Sequence, residues 1–198
     1  EDRPQISEAR QSYIYYPNTQ AVPGNVAADL FNRPYTITAE VVVPEGGADG
    51  VLLAYGGNDG GISLYVEDGK LKYAHNYVAQ QYFTVESEGE VPEGHHALSF
   101  EFVPTGEADL NKGIGTPGTA ILFVDDVEVG RSEFPVTVPI QSGLGGAITI
   151  GYDSGSPVTP EYKPPFWSTG DLKRVRVDVS GEPFVDQVAR FKAMMARQ

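Results

Sequence analysis

The side chains in this sequence best suited to acid-base chemistry are three histidines, His75, His95 and His96, and a run of alternate glutamates, Glu86, Glu88 and Glu90. A retaining glycoside hydrolase needs two carboxyls about 5 Å apart across the scissile bond. The stretch "ESEGE" has the alternation that puts carboxyls on one strand face. Ser87 and Gly89 supply no apolar face to hold such a strand, however, and Val91-Pro92-Glu93-Gly94 follows at once, so an acidic, solvated loop is expected. His95 and His96 are neighbours that point to opposite faces of a strand and cannot grip one metal together. No Gly-x-Ser-x-Gly elbow and no phosphate-binding glycine signature is present. Cysteine is absent, which removes thiol nucleophiles, Cys-ligated zinc and iron–sulfur clusters.

Two kinds of binding chemistry remain. Asn58, Asp59, Asp125, Asp126 and Asp153 fall in turns and carry the oxygen atoms that a hard cation such as calcium takes. No EF-hand spacing links them, so only the fold could gather them. Sandwich folds of the laminin-G and lectin type hold calcium at their rim in this way, and Asp153, Asp59, Asp125 and Asp126 are its candidate ligands. Exposed aromatic rings can stack on sugars. Tyr55, Tyr65, Tyr73, Tyr77, Tyr82 and Trp167 are available, and in alternating strands half of such residues face inward. Tyr162 and Trp167 stand out, because both lie in "GYDSGSPVTPEYKPPFWSTGDL", residues 151–172.

From Thr36 onward, short β-branched and aromatic runs alternate with turn residues: "TITAEVVV", "GVLLAYG", "GISLYVE", "KLKYAHNY", "QQYFTVE", "HHALSFEFV", "GTAILFVDD", "VEVGRSEF", "AITIGYD" and "LKRVRVDV". This pattern predicts an antiparallel β-sandwich. In the last run Val175, Val177 and Val179 share one face, with Leu172, Arg174, Arg176 and Asp178 on the other. Asp68-Gly69 suits a two-residue hairpin turn with positive φ at both positions, and Asp125-Asp126 reads as a second. "GGNDGG" at 56–61 reads as a looser loop, and residues 105–118 as a long exposed connection. Phe184, Val188, Phe191 and Met195 recur at helical steps, predicting an amphipathic helix over 181–198. The domain organisation is therefore an extended lead-in over 1–34, the sandwich over 35–180 and the helix over 181–198. Prolines 157, 160, 164 and 165 restrict φ. Residues 151–172 are thus expected to be a preset brace over the sandwich, with Trp167 plugging its apolar edge.

The 27 acids exceed the 14 bases, for a net charge of −13. Such a surface repels nucleic-acid backbones and anionic lipid. No apolar run approaches the roughly 20 residues a membrane span requires, so the chain reads as soluble, in the cytoplasm or secreted. With no initiating Met, a trimmed fragment or a processed product is expected.

The order of motifs resembles the C-terminal extension of bacterial arylsulfatases. The motifs are "ARQSYIYYPNTQAVP", "NRPYTITAEVVVPEGGADGVLLAYGGNDGGISLYVEDGKLKYAHNY", "GTAILFVDDVEVGR" and "IGYDSGSPVTPEYKPPFWSTGDLKRVRVDV", and together they cover most of the chain. The resemblance implies a concanavalin A-like or laminin-G-like jelly roll, in which Asp153, Gly155, Pro157 and Tyr162 match a structural loop. Sulfatase chemistry uses a divalent metal and a formylglycine made from Cys or Ser in Cys/Ser-x-Pro-x-Arg, and no such pattern occurs here. The implied function is that of a non-catalytic accessory domain. It would pack on an upstream sulfatase catalytic domain, shape substrate access or support a homo-oligomer, and would hold no cofactor of its own beyond structural calcium. A carbohydrate-binding, lectin-like module is the alternative, with Trp167 and Tyr162 as contacts, and a sandwich glycosidase is the third reading.

Overall fold

A computed structural model describes residues 11–139, 146–153 and 155–181. In chain order the strands are β1 (Ser12–Tyr15), β2 (Val22–Pro23), β3 (Tyr35–Val43), β4 (Gly50–Gly57), β5 (Gly60–Glu67), β6 (Lys70–Tyr77) and β7 (Gln81–Glu90). They continue with β8 (Gly94–Pro104), β9 (Gly118–Val124), β10 (Val127–Phe134), β11 (Ala147–Ile150), β12 (Tyr152–Asp153), β13 (Phe166–Trp167) and β14 (Asp171–Val179). They form one sheet in the order β1-β14-β3-β8-β9-β10 and a second in the order β2-β11-β4-β5-β6-β7, all pairs antiparallel. The expected all-β sandwich is present. The helix expected over 181–198 lies, beyond Gly181, outside the described residues; among the described residues the one helical feature is the 3-10 turn Leu110–Lys112.

Strict alternation builds the core. In β3, Tyr35, Ile37, Ala39, Val41 and Val43 are buried and the residues between them half-buried. Leu98, Phe100 and Phe102 of β8 meet Leu64 of β5 and Leu71 and Tyr73 of β6 across the sandwich. The Tyr73 and Phe100 rings stack with centroids 3.5 Å apart, and the Tyr73 and Tyr35 hydroxyls share a 2.6 Å hydrogen bond. The two sheets are thus joined by a polar contact whose groups would otherwise be unsatisfied.

Several local expectations change. Leu172 faces the core with the three valines because the register shifts between Leu172 and Arg174, a bulge that strict alternation cannot foresee. "GGNDGG" is a tight hairpin, with Gly57 paired to Gly60. The acidic loop expected at Glu86–Glu90 is the end of β7, anchored by Ser87, which is buried and accepts the Leu71 N–H at 3.1 Å. The expected lead-in contributes β1 and β2, one to each sheet. Asp68-Gly69 and Asp125-Asp126 both adopt the positive φ expected of them.

Residues 152–167 form a strap on the outer face of the second sheet. The chain leaves β11 at Gly151, pairs as β12 with β13, runs out to Ser156 beside Asn58, and returns to Trp167 beside Gly50. Val158, Tyr162 and Phe166 pack onto Val51, Ala54, Tyr65 and Ala74. The small side chains of Ala54, Ser63 and Ala74 leave room for the strap. At one end a Cβ is excluded, since one on Gly50 (φ +108) would lie 2.0 Å from the Trp167 carbonyl oxygen, and at the other a Cβ on Gly57 would crowd the Ser156 carbonyl oxygen at 3.0 Å. The outer face of the first sheet is solvated instead, with ion pairs Arg174–Glu40 at 2.7 Å, Arg176–Asp178 at 2.8 Å and Arg131–Glu128 at 2.9 Å.

Candidate functional site

Strand alternation in β12 and β13 sorts the strap's side chains. Asp153 and Phe166 point down to the sheet, while Tyr152 and Trp167 pair on the opposite side. The indole of Trp167 stacks on Tyr152, with centroids 4.6 Å apart and planes inclined by 22°, and Trp167 stays 54% exposed. The expectation that Trp167 plugs an apolar edge is corrected: Phe166 fills that role, stacked on Tyr162 at 5.1 Å. One-residue register decides which of two adjacent aromatics is buried. Tyr152, the support of the indole, is absent from the sequence-level aromatic candidates. Its signal was its place opposite Trp167 in a pairing that only the fold reveals.

Below the platform the strap is pinned by buried polar contacts. The Tyr162 hydroxyl donates to Asp153 Oδ2 (2.8 Å) and lies 2.9 Å from Ser63 Oγ, while the Tyr65 hydroxyl donates to Glu161. Burial raises the Asp153 carboxyl above the usual range, opposed by the hydrogen bonds from Tyr162 and the backbone of Val158 and Gly155. Burial likewise raises the Tyr162 phenol. Tyr162 is 4% exposed, so the sequence candidate for a rim contact is a structural residue. Asn76, fully buried and unremarked in the sequence, ties three loops together. Its Nδ2 donates to the carbonyls of Gly57 (3.0 Å), Asn58 (3.0 Å) and Val158 (2.9 Å), and its Oδ1 accepts from Ala79 N–H (2.8 Å).

The acids proposed for calcium do not converge. Asp59 sits at the β4–β5 turn, whereas Asp125 and Asp126 sit in the β9–β10 turn at the opposite end of the sandwich, beside the start of β8. Asp153 is enclosed by the strap. Both carboxylate oxygens of Asp125 are already engaged, one by His96 Nδ1 at 2.6 Å and one by Ala97 N–H at 2.9 Å. Among the described residues no three His, Asp or Glu side chains gather as a metal site. The four acids therefore do not fit one shared ion.

Three of the acid-base candidates, Glu86, His75 and His96, are likewise occupied. Glu86 is paired with Lys70 Nζ (2.6 Å) and Lys72 Nζ (3.3 Å), and the Lys70 hydrogen bond, with help from Lys72, holds its carboxyl below the usual range. A general acid needs the opposite shift. His75 is buried in the sandwich, accepts Val138 N–H at 3.0 Å, and is pushed down to about 4 by desolvation. His96 presents both nitrogens to acceptors, Asp125 and the Glu93 carbonyl (3.1 Å), and the Asp125 hydrogen bond raises it above the ordinary imidazole value.

No protein-family model matches the chain, and no curated protein matches it. Among solved structures it is similar to the Ruminococcus gnavus IT-sialidase CBM40 bound to alpha2,3 sialyllactose. The identity is 15%, covering 92% of this chain and 96% of that one, with a TM-score of 0.52. It is also similar to domains LG4-5 of the mouse laminin alpha1 chain, at 15% identity over 86% of this chain and 42% of that one, with a TM-score of 0.50. At these identities the likeness concerns the fold: an antiparallel jelly-roll sandwich of the concanavalin A and laminin-G kind. No helix among the described residues is long and apolar enough to cross a membrane.

Proposed function

We propose that this sandwich is a non-catalytic carbohydrate-binding domain whose contact platform is the Trp167 indole supported by Tyr152. The observation that carries the reading is the exposure of Trp167, 54%, on a strap whose Val158 and Tyr162 are buried and whose Tyr152 and Phe166 are half-buried. An exposed aromatic normally costs hydration free energy, and here it is held rigid by a strand pair and a ring stack. A rigid indole open to solvent suits the apolar face of a sugar ring, because the stacking area is gained without ordering a flexible side chain. One similar structure is a CBM40 bound to sialyllactose, which supports a carbohydrate as the ligand class in general terms. With a net charge of −13, an uncharged glycan is the better match than an anionic one. Glycan-array binding by the wild type, lost in Trp167→Ala with the far-UV spectrum unchanged, is the expected result. Equal binding by the two proteins would overturn the reading.

A second reading, an accessory domain of a sulfatase-like hydrolase, rests on the motif order in the sequence. The two readings are compatible, since a binding domain can serve a hydrolase joined to it. The parent reading frame tests it: a Cys/Ser-x-Pro-x-Arg signature upstream would support a sulfatase, and a different catalytic domain would end the idea.

A further inference from the structure

Two exposed aromatic residues lie at opposite ends of the outer side of the second sheet. Trp167 stands beside Gly50, where β4 begins, and Tyr82, 40% exposed, stands where β7 begins. Tyr82 pairs across to Asn76, and Asn76 to Gly61, which faces Gly56 near the far end of β4. Strand rise and strand spacing therefore put the two rings roughly 20–25 Å apart. The strap covers β4, β5 and the Ala74–Asn76 part of β6, while the outer side of β7 and the Lys70 and Lys72 positions of β6 remain open beside it.

That open strip is polar and locally balanced. Lys72 Nζ lies between Glu67 Oε2 (3.1 Å) and Glu86 Oε2 (3.3 Å), and Lys70 Nζ reaches Glu86 Oε1 at 2.6 Å. Thr84 is exposed between Glu86 and Tyr82 on the same strand face. Charged groups already paired with one another keep free lone pairs and N–H bonds for neutral hydroxyls.

The turn that starts β7 is strained. Val78 and Ala79 both have positive φ, 45° and 58°, at a cost of about 1–2 kcal/mol per non-glycine residue. Asn76 Oδ1 and the Gln80 N–H bond to the Tyr77 carbonyl (2.9 Å) hold the turn in place. Strain of this kind persists where the surroundings over-determine it, often at binding surfaces. Here it sets the position of Tyr82.

We infer that this face binds an internal stretch of an uncharged polysaccharide, with Trp167 and Tyr82 as stacking points at its two ends and the Glu67–Lys72–Glu86 strip bonding hydroxyls between them. The inference rests on the carbohydrate-binding reading and adds that the ligand is a chain, not a terminal sugar. Affinity electrophoresis through gels of neutral and anionic polysaccharides, followed by calorimetry with the matching disaccharide and longer oligosaccharides, tests it on the wild type, Tyr82→Ala and Glu86→Gln. The expected result is retardation by a neutral polymer, affinity that climbs with chain length, and a loss of roughly tenfold in Tyr82→Ala for the polymer alone. A severalfold loss is expected for Glu86→Gln. Polymer binding undiminished in Tyr82→Ala, or affinity already complete for the disaccharide, overturns the inference while leaving the Trp167 platform standing. Retardation by anionic polymers in preference to neutral ones overturns the uncharged ligand. Retardation by no polysaccharide overturns both readings.

Discussion

His75 and His96 respond to pH in opposite senses, and both responses follow from what surrounds each ring. Buried His75 titrates at about 4 in the folded chain against 6.5 when exposed. Its folded pKa is depressed, so the unfolded chain binds its proton first and folding stability falls as pH drops from about 6.5 to 4. The fall is on the order of 3 kcal/mol. His75→Gln can keep an acceptor for Val138 N–H, and urea titrations between pH 7 and pH 4 should show a shallower acid slope than the wild type. An unchanged slope would refute the burial argument. His96 is raised, so its contribution is complete below its unfolded value of 6.5 and fades as pH rises through the higher folded value. Its partner Asp125 is lowered, chiefly by the Ala97 N–H and then by His96. The Asp125 contribution is present above 3.8 and fades as pH falls through the folded value. Because Asp125 is half exposed in this pair, the ion pair is worth less than about 1 kcal/mol. Neither behaviour is legible in "YAHNY" or "GHHAL": a histidine's neighbours across the sheet set its pKa, and sequence adjacency does not name them.

Among the elements, the strap and the β6–β7 turn are the least regular and the most informative. The brace-like character of 151–172 could be read from its prolines, but its polar pins could not, because Tyr162 and Glu161 of the strap meet Ser63 and Tyr65 of β5 only in the fold. Tyr162→Phe removes the hydroxyl that serves the buried Asp153 carboxylate and should cost about 1–3 kcal/mol. Hydrogen exchange should rise at residues 155–166 while the β3–β8 core stays protected. Uniform protection across the strap would contradict its dependence on this bond. In the turn, Val78→Asn with Ala79→Gly installs residues that accept positive φ, and the main-chain N–H bonded to Asn76 is kept. The double variant should gain about 1–2 kcal/mol in denaturant unfolding, and a loss would argue that the Val78 side chain is needed. The strands were readable because their alternation is a local property. The bulge at Leu172–Arg174 and the continuation of β7 through Glu86–Glu90 were not, since register and the anchoring of Ser87 under β6 depend on the partner strand.

At the scale of the whole molecule, a sandwich with a well-filled core keeps one outer face solvated by ion pairs and lays a strap across the other. In the proposed reading the second sheet is the binding face, and the single tryptophan stands on its strap. Since Asp59, Asp125, Asp126 and Asp153 are dispersed or engaged, glycan binding should survive EDTA; its abolition by the chelator would point to an ion these acids do not jointly hold. Fluorescence offers the most direct test, because Trp167 is the only tryptophan in the chain and its emission reports on the proposed platform alone. Titration with a neutral glycan retained by the protein should give a saturable blue shift, with the same Kd as calorimetry. Calorimetric saturation with the Trp167 emission unmoved would show that the ligand binds elsewhere, and would contradict the account.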